Sequence, residues 1–155
     1  MKAIVYTQYG SPDVLKLKEI NKPQPEVHEL LIKIHATIVT SGNCKLRSCQ
    51  IPFLFWLPMR LWLGLTKPKK TVLGGEFSGE VEAVGARVKH FKKGDQVFGF
   101  TQFGTYAEYI CLDESSLIAD KPNNVTFAEA AAIPFGALAA LYFYARQRFN
   151  QANKY

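Results

Sequence analysis

Strand-like runs of mixed apolar and polar residues dominate the chain as far as Leu112, and one alanine-rich helical run closes it. Residues 2–7 and 14–19 read as two antiparallel strands, because the turn-rich link Tyr9-Gly10-Ser11-Pro12-Asp13 joins them. In Asn21-Lys22-Pro23-Gln24-Pro25 each proline biases its predecessor away from helix, so this segment is an extended connector. Residues 29–39 alternate as a longer strand, with Leu31, Ile34 and Ala36 broadly apolar. A short helix follows over about 41–48, capped by Thr40 or Ser41. Two further strand groups cover 77–88 and 96–112, the second broken by Gly99 and Gly104. Thr126 then caps the last helix, with Glu129 at the third position of a capping box. The helix runs to about Arg148, and Pro134 kinks or splits it.

Glycine placement sharpens this picture. Seven of the eleven glycines fall between residues 74 and 104. Glycine inside strand-like sequence marks bulges, tight bends and close backbone approach, so this density predicts a small, sharply curved β-barrel. A chain of 155 residues is long enough to bury a real core, and 48% hydrophobic with 21% charged residues is the composition of an ordinary globular domain. The formal charge of +6 is moderate. Basic residues cluster at Lys67, Lys69 and Lys70 and again at Arg87, Lys89, Lys92 and Lys93, without a nucleic-acid-binding motif. Solvated faces account for them, with an anionic phosphate or a partner as the alternative. Cys44, Cys49 and Cys111 are an odd number without a framework spacing, and no secretory leader precedes the first strand, which points to the cytoplasm. The apolar stretch 51–65 is interrupted by Pro52, Pro58, Arg60 and Gly64. It is shorter than the roughly 20 residues of a spanning helix, so no membrane segment is expected.

The glycine-rich region also carries a family pattern: Gly74-Gly75-Glu76, Gly79-Glu80-Val81 and Gly94-Asp95-Gln96-Val97, in order between a Met1-Lys2-Ala3 strand and Ala130-Ala131-Ala132-Ile133-Pro134. This order and spacing resembles the catalytic, GroES-like domain of the medium-chain dehydrogenase/reductase family. The resemblance implies a mainly β fold with short helices (α+β), a partly open barrel over residues 1–125 and a linking helix over 126–155. In the family that helix leads into a Rossmann domain that holds a nicotinamide cofactor. No Gly-x-Gly-x-x-Gly occurs in this chain. The Rossmann domain is therefore expected to be absent and the chain to be the substrate half of an oxidoreductase, inactive by itself.

Further expectations follow from where the chain departs from the family. Zinc-dependent members bind the metal through a cysteine and a histidine whose positions here are Thr40 and Gly75, and neither can complete a tetrahedral site. The lobe of four cysteines that holds a structural zinc is also missing, because Val97-Phe98-Gly99 leads almost directly into Gly104-Thr105-Tyr106. No zinc is expected. The chain is closer to the zinc-free quinone oxidoreductases, which carry Asn or Thr at the first position. Thr40 and Asn43 are then the candidate catalytic residues, donating hydrogen bonds to the carbonyl of a quinone or enone that accepts hydride from NADPH (or NADH). Capping of the following helix would select the same residue types.

The resemblance makes Phe53, Phe55, Trp56 and Trp62 the substrate-binding loop, with core packing or a covered domain interface as the alternative. Pro134 and Phe135 match the family where its helix approaches the nicotinamide, whereas Ala137 and Ala139 replace an expected Gly and Thr. Glu76, without a metal to serve, is expected to make a structural hydrogen bond to backbone or to Arg47. His28, His35 and His90 show no partner for acid–base work. Partners reduce to a small carbonyl or quinone substrate, with no nucleic acid and no membrane; homo-oligomer formation stays open. A stand-alone GroES-like binding module without redox activity is the competing reading.

Overall fold

Two antiparallel sheets carry the chain in the computed structural model, which describes residues 1–50 and 53–152, with the side chains of 53–56 and 147–152 outside that description. Strand β1 (Lys2–Val5) pairs with β2 (Lys16–Glu19) across a 3-10 turn at Pro12–Val14. The larger sheet takes β3 (Glu29–Thr37), β4 (Glu76–Val84), β5 (Gln96–Phe100), β6 (Tyr109–Asp113) and β7 (Leu117–Asp120) in the order β6-β3-β4-β5-β7, every neighbouring pair antiparallel. Isolated bridges Ala3 to Ala107 and Val5 to Val72 tie the small sheet to segments bordering the large one. The result is a mainly β half-barrel, curved as the glycine pattern predicts and partly open as the resemblance implies.

Curvature has a local cause. The β3–β4 register shifts between Leu31 and Ile32 and again between Ile34 and Ala36. Gly79 pairs with Ile34 at the second shift, where a Cβ would lie 2.1 Å from the Lys33 carbonyl oxygen, so only glycine lets the strands close. Inside the curl, Leu30, Ile32, Phe77, Val81 and Val97 are fully buried and form the main core. A second cluster of Tyr6, Leu73 and Tyr106 sits where β1 meets residues 72–73 and 106.

Helices flank this sheet. α1 (Ser41–Ser48) has the bounds the sequence predicts. Next comes α2 (Phe53–Leu63), where the resemblance implies a loop. Its leucines, Met59 and Arg60 favour helix, and Pro58 removes a single backbone donor. Gly64, at φ +121, ends it by donating its N–H to the Arg60 carbonyl. The closing helix is split at Pro134 into α3 (Phe127–Ala131) and α4 (Pro134–Ala152), with Thr126 and Glu129 forming the anticipated capping box. α3 is fixed to the sheet by Ser78 Oγ donating to the Phe127 carbonyl and by His35 stacking on the Phe127 ring at 4.4 Å. Beyond its first turns α4 leaves the sheet, and Leu141, Tyr142, Phe143 and Tyr144 are exposed.

Other differences are local. Gly99 lies inside β5 rather than breaking it, because its bare Cα admits the Leu117 carbonyl of β7, which would stand 2.3 Å from a Cβ. β7 itself is not anticipated by the sequence reading. Among the described residues no helix is long and apolar enough to cross a membrane.

Candidate active-site cleft

A cleft of about 300 Å³ opens where the start of α1, the Gly75-Glu76 turn into β4, the loop after β5 and the first turn of α4 converge. Thr40, Asn43 and Leu46 form one wall, Gly75 and Glu76 the floor, and Phe100, Thr101, Gln102 and Phe135 the rest. Thr40 is the N-cap of α1, and its Oγ1 accepts from the Asn43 N–H at 3.3 Å. Asn43 Oδ1 answers by accepting from the Thr40 N–H at 3.0 Å and from the Thr40 hydroxyl at 2.7 Å. Because a backbone N–H can only donate, the Asn43 oxygen must face it, which fixes the amide orientation. The two hydrogens of the Asn43 amide then stay unspent, whereas the Thr40 proton is given to Asn43. Of this pair, the asparagine is the available donor.

Gly75 explains why no side chain stands across from them. A Cβ there would lie 2.7 Å from the Thr101 carbonyl oxygen and 3.2 Å from the Phe100 ring, and the Thr101 N–H donates to the Gly75 carbonyl at 2.7 Å. Histidine at this position would require the loop after β5 to move. Among the described residues no group of three or more His, Cys, Asp or Glu is placed to hold a metal ion. Glu76 is 4% exposed, and its Oε1 accepts from the Phe135 N–H at 3.2 Å. A carboxylate at the first turn of a long helix is stabilised by the unsatisfied N–H groups there. Its partner is backbone, one of the two the sequence suggests, while Arg47 donates Nε to the Gly10 carbonyl instead.

Residues 26–123 match the alcohol dehydrogenase GroES-like domain model. The chain belongs to that family. Among its relatives, the 2-methylene-furan-3-one reductase of Solanum lycopersicum is 40% identical over 145 residues, covering 86% of this chain and 34% of the relative. A chloroplastic NADPH-dependent alkenal/one oxidoreductase of Arabidopsis thaliana is 38% identical with the same coverage. The quinone oxidoreductase from Coxiella burnetii superposes with a TM-score of 0.75 at 34% identity, over 99% of this chain and 45% of that one. The chain thus spans about a third of the curated relatives' length and under half of that solved structure. The likeness drawn from Gly74-Gly75-Glu76 and Gly94-Asp95-Gln96-Val97 to the medium-chain dehydrogenase/reductase family, and to its quinone oxidoreductases, stands.

The sequence-selected residues separate in space. Thr40, Asn43 and Phe135 meet in the cleft, and the largely exposed Phe135 ring lies 6.0 Å from Phe100. Pro134 lines a different, apolar hollow of about 340 Å³ with Phe98, Leu117, Leu138 and Leu141. Trp62 does not line the Thr40 cleft. It tilts against Phe103 at 5.8 Å over an adjoining hollow of about 150 Å³. The side chains of Phe53, Phe55 and Trp56 lie outside the described residues. Thr101 and Gln102, which the sequence reading omitted, come from a polar loop with no periodicity to mark it.

Proposed function

We propose that this chain forms the substrate-side part of a zinc-independent NAD(P)H oxidoreductase that adds hydride to quinones or enones. The observation that carries the reading is the cleft itself: the Asn43 amide presents unspent donors there, and Gly75 leaves no room for a metal-ligating side chain. Hydride addition to the β-carbon of an enone builds negative charge on the carbonyl oxygen, and a positioned N–H donor stabilises that charge more than the ground state. In this assignment Asn43 donates to the carbonyl, Thr40 holds Asn43 in place, and Phe100 and Phe135 border the reacting face.

The residues of this chain fit one end of the cofactor only. Phe135 offers a ring beside the cleft, but no glycine-rich strand–turn–helix is present in the sequence to hold a pyrophosphate. The bound cofactor supplies the hydride. NADPH is the assigned form because one relative is named NADPH-dependent. Residues 1–125 are assigned to the substrate domain and 126–155 to the link toward a dinucleotide-binding domain. Cys44, Cys49 and Cys111 are all free, which suits a reducing cytoplasm.

The test is an NADPH titration and a quinone and enone turnover assay on this chain and on the same chain joined to a dinucleotide-binding domain. Cofactor binding and turnover in the joined protein alone support the assignment. Tight NADPH binding by the short chain, or no turnover by the joined one, favours a GroES-like binding module without redox activity.

A further inference from the structure

Gln102 borders more than the Thr40 cleft. A hollow of about 600 Å³ lies between residues 69–72, the loop at 101–104 and residues 110–112. The smaller one under Trp62 shares Lys69, Lys70, Gln102 and Phe103 with it, and Gln102 lines the Thr40 cleft as well. One residue therefore lines all three hollows. Among the described residues no carboxylate lines the two outer ones. Lys69 is held in place, its backbone N–H donating to the Leu63 carbonyl and its Nζ to the Leu61 carbonyl, both at 2.8 Å near the end of α2. The salt bridge found among the described residues, Lys22 with Glu82, leaves both lysine charges without an ion-pair partner. Beside them, Phe103 and Trp62 supply apolar ring faces tilted 47° to each other.

A positive rim without compensating carboxylates, set on an aromatic wall, recognises a planar ligand that carries an anionic substituent. We infer that these hollows extend the substrate cleft and select planar conjugated carbonyl compounds bearing a carboxylate or sulfonate, with Lys69 and Lys70 taking the anion and Phe103 the ring plane. The inference rests on the reading that the Asn43 end of the cleft takes the carbonyl.

Calorimetric titration of the 155-residue chain tests it with anthraquinone sulfonate and its neutral hydroxymethyl counterpart, which share the ring system and differ in charge. The expected result is about tenfold tighter binding of the sulfonate at low ionic strength, an advantage that shrinks at about 0.5 M salt. It disappears in Lys69→Gln/Lys70→Gln, where Gln retains an N–H donor. In Lys92→Gln/Lys93→Gln, which removes the same charge at the turn before β5, it persists. Equal affinity of the two quinones, an advantage that survives loss of Lys69 and Lys70, or no binding of either quinone overturns the inference. Displacement of the sulfonate by adenosine bisphosphate at equal concentration also overturns it, assigning the lysines to a nucleotide phosphate. Naphthalene sulfonate separates this inference from the function it rests on. Lysine-dependent binding that ignores the carbonyl keeps the anion site and sinks the carbonyl assignment, whereas quinone binding indifferent to the lysines does the reverse.

Discussion

The Thr40 hydroxyl and the Asn43 amide each have a structural duty, and only the amide has donors left over. Thr40→Ser keeps the reciprocal cap, whereas Thr40→Val removes the oxygen that accepts the Asn43 N–H and should lower unfolding free energy by about 1 kcal/mol in urea titration. Asn43→Asp divides the two roles more sharply. The carboxylate still accepts from the Thr40 N–H and sits favourably in the first turn of α1, so stability should hold or rise by up to about 1 kcal/mol. Both donors are lost, and kcat/KM of the joined enzyme for a quinone should fall at least about tenfold, the scale of one hydrogen bond to a developing oxyanion. Unchanged kcat/KM in Asn43→Asp would return the pair to capping alone. Gly75→Ala tests the opposite wall, where the new methyl must displace the Thr101 carbonyl or the Phe100 ring, at a cost of about 1–3 kcal/mol. A midpoint equal to wild type would mean that the loop after β5 yields freely and that a larger side chain fits there.

At the scale of elements, what the sequence made legible is what local signals encode. α1 follows from its cap and the α3–α4 break from Pro134, and both signals lie within a few residues of the feature they set. α2 was obscured because Pro58 and the neighbouring Pro52 argue against helix, while the stabilising leucines carry no clear polar face. β7 is four residues long with one partly buried position, too short for an alternation to show, and it forms because β5 offers it an edge. The loop at 101–104 was equally illegible. It is placed by long-range backbone bonds, from Thr101 to Gly75, Gly104 to Val72 and Tyr106 to Leu73, so the roles of Thr101 and Gln102 exist only once the strands have paired. Glu76 joins two such levels, since it belongs to β4 yet accepts from the second residue of α4. Glu76→Ala should cost about 1–3 kcal/mol by leaving that donor without its partner, and Glu76→Gln less, because an amide oxygen still accepts. Hydrogen exchange should show faster opening at the start of α4 with α1 unchanged. Uniform acceleration across both helices would mean that Glu76 supports the whole fold rather than this junction.

For the molecule as a whole, the balance of shifted ionisations predicts an alkaline weakness. Burial, with Tyr9 and then Cys49 adding to it, pushes the Tyr6 hydroxyl from 10.0 up to about 12. The Cys111 thiol rises from 9.0 to about 11, again by burial first and then by the nearby Glu29 and Glu26. Tyr106 is raised for the same leading reason. In each case the folded protein holds its proton more tightly than the unfolded chain does. That contribution is complete below the unfolded values and is lost as pH climbs through the folded ones, between about pH 9 and 12. On the acid side Asp113, Glu114 and Glu129 are lowered by hydrogen bonds, so their contribution is present above the ordinary carboxylate range and lost as pH falls. Asp113 and Glu129 are exposed and screened by solvent and Glu114 is half-buried, so the acid limb should be shallow. Tyr6 and Tyr106 share one buried cluster with Leu73, so ionising either places charge where β1 joins the rest of the fold. The urea midpoint should therefore be flat near neutrality and fall steeply above about pH 9, with tyrosinate absorbance appearing as the protein unfolds. Tyr6→Phe should flatten the upper part of that fall, because the group that gains a proton preference on folding is gone. A midpoint that stays constant to about pH 11, or tyrosinate signal that develops while the chain is still folded, would show that these side chains reach solvent and that the β1 junction is looser than its packing implies.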